Sequence, residues 1–268
     1  MRRAGALGAA ALLAAAAMTS CAPHVVAPPV LDPLESAARY RAGSGARQAL
    51  ATAADAEASA WVSGEALGDL PGVHARLALG APDAFRVRVE SLFGTAVDLA
   101  ARGESLSCFV PSRRLGVALD AVADTLGLRS PGSLGCRVLA ATWDPPAAAW
   151  REARVEGGVL VARWQEEGDS LALGVGPDGL PRWVELHRPR GREVRALYGG
   201  WEMVERARWP TRLDVESAGA GLKLTLRLAR VQRNLRPGPE RLAVRIPPDA
   251  KRLEWSALRS ALGRARGL

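Results

Sequence analysis

The stretch from 72 to 110 constrains this chain most. Its apolar residues alternate with polar or small ones: Val73, Leu77 and Leu79, then Phe85, Val87 and Val89, then Val97 and Leu99. A period of two belongs to a strand with one dry face and one wet face. Punctuation at Gly80, Pro82 and Asp83, at Gly94 and at Gly103 separates the runs, so they fold back as an antiparallel meander. The pattern breaks once, at Leu92-Phe93-Gly94. Two large apolar residues sit there at a hairpin tip, where polar turn residues are expected.

The rest of the chain extends this sheet. Residues 34–58 are rich in Ala, Glu and Arg and read as helical, interrupted near Gly43 and Gly45, with a first strand around 61–67. After the meander, Leu115, Leu119, Val122 and Leu126 are spaced four, three and four residues apart, which predicts one helical stripe. Gly127 is its stop. Ser130-Pro131 opens a second helix, with Ser130 as cap and Leu134, Val138 and Leu139 as its apolar face. Helices inserted into a meander must bury their stripes against the sheet. They are either a permanent plug or a lid over a hollow.

After Pro145-Pro146, strand patterns resume at 159–164, 171–175, 183–187, 194–198, 213–215 and 222–231. About ten or eleven strands result, and a sheet of that width curls. The expected fold is α+β: a curled, incomplete antiparallel β-barrel with short helices covering its open concave side. A last helical run over 253–266 puts Trp255, Leu258 and Leu262 on one face, to pack on the barrel wall or lie on a membrane surface.

The N-terminus is a separate matter. Arg2 and Arg3, an apolar run over 4–18 and then Met18-Thr19-Ser20-Cys21 form an export signal over 1–20. The run is too short and alanine-rich for a membrane span. Its end resembles a bacterial lipobox, the alternative being a plain signal peptide with a chance Cys. The resemblance implies cleavage before Cys21, lipid on its sulfur and an acylated α-amine, holding the chain to a bilayer by about 0.8 kcal/mol per buried CH₂. Ala22 stands where Asp would favour the inner membrane, which by the same resemblance implies the periplasmic face of the outer membrane. Pro23, Pro28, Pro29 and Pro33 make an extended tether. The organisation is therefore a signal over 1–20, a lipidated N-terminus and tether over 21–44, and a half-barrel domain over 45–268.

The formal charge of +8 is carried almost wholly by arginine, Lys223 and Lys251 being the only lysines. It implies a basic soluble surface or attraction to anionic headgroups. An exported chain has no nucleic acid to bind. Cys108 and Cys136 either form a disulfide, permitted in an oxidising compartment and worth about 3–4 kcal/mol for a loop of that size, or remain buried thiols. Gly174, Gly176 and Gly179 match a dinucleotide fingerprint by spacing, but Pro177-Asp178-Gly179 reads as a hairpin turn with no helix after it. His24, His74 and His187 lack metal-ligand spacing, and neither GxSxG nor HExxH occurs. No enzyme, cofactor or metal is expected. Among the eight tryptophans, Trp143, Trp150, Trp164, Trp183, Trp201 and Trp209 suit core or rim packing better than sugar stacking.

Two stretches carry a family resemblance. FRVRVESLFGTAVDLAARGESLSCFVPSRRLG resembles the strand, Leu-Gly tip, strand and further strand of LolB, and LGLRSPGSLGCRVLAAT resembles its lid, two helices broken at a proline. Residues 45–250 thus resemble the LolA/LolB lipoprotein-localisation fold. The resemblance implies a hollow that holds acyl chains of lipids or lipoprotein cargo, lined here by Leu77, Leu79, Phe85, Val87, Val89, Val97 and Leu99. Leu115, Leu119, Val122 and Leu126 would close it. It also implies that Phe93, with Leu92, enters the membrane, and that a periplasmic carrier protein is a partner. A lipoprotein of the same fold with a filled barrel, binding a protein partner, is the other reading.

Overall fold

The computed structural model describes residues 32–64, 70–92, 94–120, 130–188, 192–217, 222–234 and 238–253. The signal, Cys21, the tether to 31, Phe93, Val122, Leu126 and the run from 254 lie outside them.

Asp32 caps the first helix among the described residues. Its carboxylate accepts from the backbone N–H of Leu34 at 2.9 Å and of Glu35 at 3.2 Å, and Pro33 follows at the first helical position, where no N–H is missed. Helix α1, Pro33–Ala51, runs unbroken through Gly43 and Gly45. The predicted interruption is absent, and residues 33–44, drawn within the tether, belong to this helix. One buried face, Ala37, Tyr40, Arg47 and Leu50, explains this: tertiary packing outweighs a glycine cost of about 1 kcal/mol each.

Fourteen strands form one sheet. The first six are β1 (Ala54–Gly64), β2 (Leu70–Gly80), β3 (Ala84–Ser91), β4 (Gly94–Arg102), β5 (Ser105–Val110) and β6 (Leu115–Leu119). The others are β7 (Arg154–Glu156), β8 (Val159–Glu166), β9 (Asp169–Val175), β10 (Pro181–Arg188), β11 (Arg192–Val204), β12 (Ala207–Ser217), β13 (Leu222–Arg233) and β14 (Lys251–Arg252). Their order is β14-β6-β5-β4-β3-β2-β1-β13-β12-β11-β10-β9-β8-β7. Every ladder is antiparallel except β14 on β6. The sheet does not close: β14 and β7 are its two ends.

Two short α-helices follow among the described residues. Helix α2, Pro131–Ala140, lies where the sequence predicts it, but Ser130 takes a left-handed conformation and its side chain accepts no capping hydrogen bond. Helix α3, Ala147–Arg151, was not predicted. The helix expected from Leu115 is also corrected: Leu115–Leu119 is strand β6, paired along its length with β5. Gly174 lies in β9, and Gly176 to Gly179 form the turn to β10, closed by Gly176 N–H to Leu180 O at 2.9 Å.

The helices cover one part of the concave side. α1 packs on β12 and β9, and α2 on β3, β4 and β5. The core between them is aromatic and aliphatic. Leu160, Leu173 and Leu213 are fully buried, as are Tyr40, Trp143 and Trp209 within 2%. On the convex side, the segment 238–253 straps the sheet. Arg241 is bonded to Asp55 at 2.7 Å, to Leu79 O at 2.6 Å and to Ala54 O.

Candidate functional site

The predicted hollow residues do share one face. Register places Leu77 opposite Val87, Val87 opposite Leu99, Leu99 opposite Cys108 and Cys108 opposite Val117. A second row runs Leu79, Phe85, Ala101, Leu106 and Leu119, and Val89 faces Val97. Directly opposed aliphatic pairs of this kind stabilise a sheet. Leu115 lies opposite Val110, so Leu115 and Leu119 belong to the wall and not to a lid. Val122 and Leu126 are outside the described residues.

Burial divides this face in two. Leu77 and Leu79 are buried and belong to the packed core. The ring of Phe85 lies against Gly135 of α2, where a Cβ would collide with it. The seven residues therefore do not line one open hollow. The space beside Leu77, Leu79, Leu139, Trp209, Leu228 and Val231 is a cavity of about 10 Å³, at the lower limit for a single water. Beyond α2, Val87, Val89, Val97 and Leu99 remain half-buried, as do Val73 of β2 and Cys108 of β5. Val73, Val87 and Val89 also pack against the core, so these residues form a partly covered aliphatic strip.

Leu92 stands at the tip between β3 and β4. Leu92 is 98% exposed. Ser91 Oγ donates to Gly94 O at 3.0 Å, and Gly94 has φ of 107°, which glycine alone accepts without cost. Phe93 falls outside the described residues.

The wet face of the same strands is strongly charged. Arg76 lies opposite Arg88, and Arg88 opposite Asp98. Arg86 holds Asp98 with two bonds of 2.7 and 2.5 Å and donates to Glu240 O at 2.7 Å. The strap and the sheet thus share one ion-pair network that braces the strip from behind.

Under the helices, sequence reasoning missed a polar network. Tyr40 Oη donates to Trp143 O at 2.6 Å, and Trp143 Nε1 donates to Tyr198 Oη at 2.9 Å. Burial pushes Tyr40 up to about 12 and raises Tyr198 further. Arg47 is fully buried. It donates through Nε and Nη2 to Ala141 O at 3.2 and 3.0 Å and stacks over Tyr40 and Trp201 at 5.8 and 5.3 Å. Desolvation depresses its pKa, and its Nη1 has no partner. Arg137 lies 4.7 Å over Trp143 and binds Glu166 at 2.6 and 2.9 Å, which holds the Glu166 carboxyl below its ordinary range.

Cys108 and Cys136 are free thiols. Cys136 Sγ donates to Ala84 O at 2.9 Å, and burial pushes its pKa up to about 11. No cluster of three metal-ligating side chains occurs among the described residues. No helix among them is long and apolar enough to cross a membrane.

No protein-family model matches the sequence, and no curated protein does. Solved structures do resemble the fold. A DUF1329 family protein from Desulfovibrio piger superimposes with a TM-score of 0.50 at 10% identity, over 79% of this chain and 98% of that one. The LolA superfamily protein NE2245 from Nitrosomonas europaea gives 0.47 at 13% identity, over 73% and 95%. A domain from Vibrio parahaemolyticus named for outer-membrane lipoprotein sorting gives 0.49 at 9%, over 77% and 95%. At these identities the likeness is one of fold: the chain is a curled, open antiparallel sheet with helices on its concave side, the architecture of the Desulfovibrio protein.

Proposed function

We propose that this chain is a lipid-binding lipoprotein, anchored through acylated Cys21 at the periplasmic face of the outer membrane. It accepts an acyl chain, free or carried by a lipoprotein handed over by a periplasmic carrier, and passes it to the bilayer. It performs no covalent chemistry. The observation that carries this reading is the strip of Val87, Val89, Val97 and Leu99, all on one face and all half-buried. Covering their remaining apolar surface is worth roughly 3–5 kcal/mol. Leu92 beside the strip supplies the membrane contact, with Phe93 as its partner by resemblance to LolB.

Native mass spectrometry of the purified protein tests this. Co-purifying phospholipid or lipopeptide is expected, and Val89→Asp with Leu99→Asp abolishes it. Leu92→Glu changes stability by less than about 0.5 kcal/mol, as for an exposed position, but stops delivery of acyl cargo to liposomes. Lipid-free protein that also fails to bind added lipopeptide refutes the proposal. The 10 Å³ interior favours the other reading, an assembly lipoprotein with a filled barrel. That reading expects the strip to be covered by a captured protein and to bind no lipid.

A further inference from the structure

The geometry points to an alkyl-chain entry site at an open seam between β12 and β13. The ladder between these strands ends at Arg212 and Arg227, although β12 begins at Ala207 and β13 continues to Arg233. Beyond that point β13 pairs only with β1, and β12 only with β11. The main-chain edges of 207–211 and 228–233 therefore face each other without a shared ladder.

A cleft of about 460 Å³ lies beside this point, between the end of β11, Thr211 of β12 and the far part of β13, with Met203, Val204, Leu228 and Val231 among its lining. Leu228 and Val231 also line the small apolar cavity inside, together with Trp209, Leu77, Leu79 and Leu139. Leu228 and Val231 thus border both the outer cleft and the small inner cavity. The arm that would move is the β11–β12 hairpin. It bends at Gly199 and Gly200, the latter with φ of 60°, and the bend is tied by Thr211 Oγ1 to Gly200 O. Its tip is latched by Glu205 to Arg233 at 3.3 Å, both partly exposed.

Inside, the arm is held by the rings of Trp201 and Trp209, whose buried indole N–H groups have no acceptor. Each such orphan lowers the cost of opening, because water satisfies it outside. The occupant this seam fits is one hydrocarbon chain, its polar head beside Arg230, Gln232 and Arg233 and its tail past Leu228 and Val231. This rests on the lipid-binding reading and adds where the tail enters.

The test is photolabelling of the intact protein with palmitate carrying a mid-chain diazirine, followed by peptide mapping. Labels on 207–211 and 228–233 are expected. Glu205→Ala should raise the seam labelling rate about two- to fivefold, the scale of one exposed ion pair. Leu228→Trp should remove seam labels and leave those on β3 and β4. Labels confined to β3 and β4 in every variant overturn the seam and leave the lipid-binding reading intact. No labels anywhere overturn both.

Discussion

Arg47 offers the sharpest test of how the covered half is held. It is a guanidinium with no exposure. Its gains are two charge-assisted bonds to Ala141 O, worth about 1.5–3 kcal/mol, and stacking on two rings, worth about 2 kcal/mol when desolvated. Against them stands removal of a charge from water, several kcal/mol per ion, and the unpaired Nη1. The two sides are of similar size, so Arg47 contributes little through its charge and much through its volume. Arg47→Ala removes the bonds, leaves Ala141 O unpaired and opens a hole between Tyr40 and Trp201; a loss of about 3 kcal/mol follows. Arg47→Met also leaves Ala141 O unpaired but fills the hole without a charge to desolvate, and should lose only about 1 kcal/mol. Urea unfolding with linear extrapolation reads the difference, and the Ala variant should melt about 6–12 °C lower. A Met variant as unstable as the Ala variant refutes the reasoning, because the charge itself would then be the stabilising element.

The chain's two tyrosines are both buried with raised pKa, Tyr40 to about 12. An acid raised above its unfolded value adds stability below pH 10 that is lost as pH climbs toward the folded value; absorbance at 295 nm should therefore show no tyrosinate at pH 11 until the fold melts. Cys136, raised to about 11 and bonded to Ala84 O, should resist alkylation at pH 8 in the native protein and react at once in denaturant. Gly135→Ala drives a Cβ into the Phe85 ring, which should cost about 1–3 kcal/mol and raise exposure of Phe85 in hydrogen-exchange maps of β3; no change in either would show that α2 does not press on the sheet.

The meander was legible because a face dry on one side and wet on the other leaves a period of two within each run between Val73 and Leu99. The misread stretch has a physical cause. Leu115 and Leu119 are four apart, which puts them on one face of a helix and equally on one face of a strand. Only the step from Leu119 to Val122 is helical, and it lies beyond β6. Helix α3 is five residues long, too short to write a stripe. Arg47 reads as a solvated helix residue because its partners Ala141 and Trp201 are far along the chain. That Leu77 and Leu79 face no hollow was equally hidden: Trp209, which fills the space beside them, comes from another hairpin. Clean alternation through Leu222 to Leu228 shows a strand, but it cannot show that one ladder ends at Arg227.

The two apolar regions differ in what an alkyl chain must displace. On the half-buried strip of Val87, Val89, Val97 and Leu99 it covers the apolar surface that packing leaves exposed. The roughly 3–5 kcal/mol available there corresponds to dissociation constants near millimolar, weak enough to release cargo to a bilayer. At the seam it must part Leu228 from Val231 and shift Trp209, which is 1% exposed. Entry there is slow, and the burial gained is larger. A protein with both regions should take up an alkyl probe in two phases: a fast, weak phase lost with Val89→Asp and Leu99→Asp, and a slow, tight phase lost with Leu228→Trp. A single phase sensitive to neither pair of changes would mean that the open sheet serves a protein partner instead.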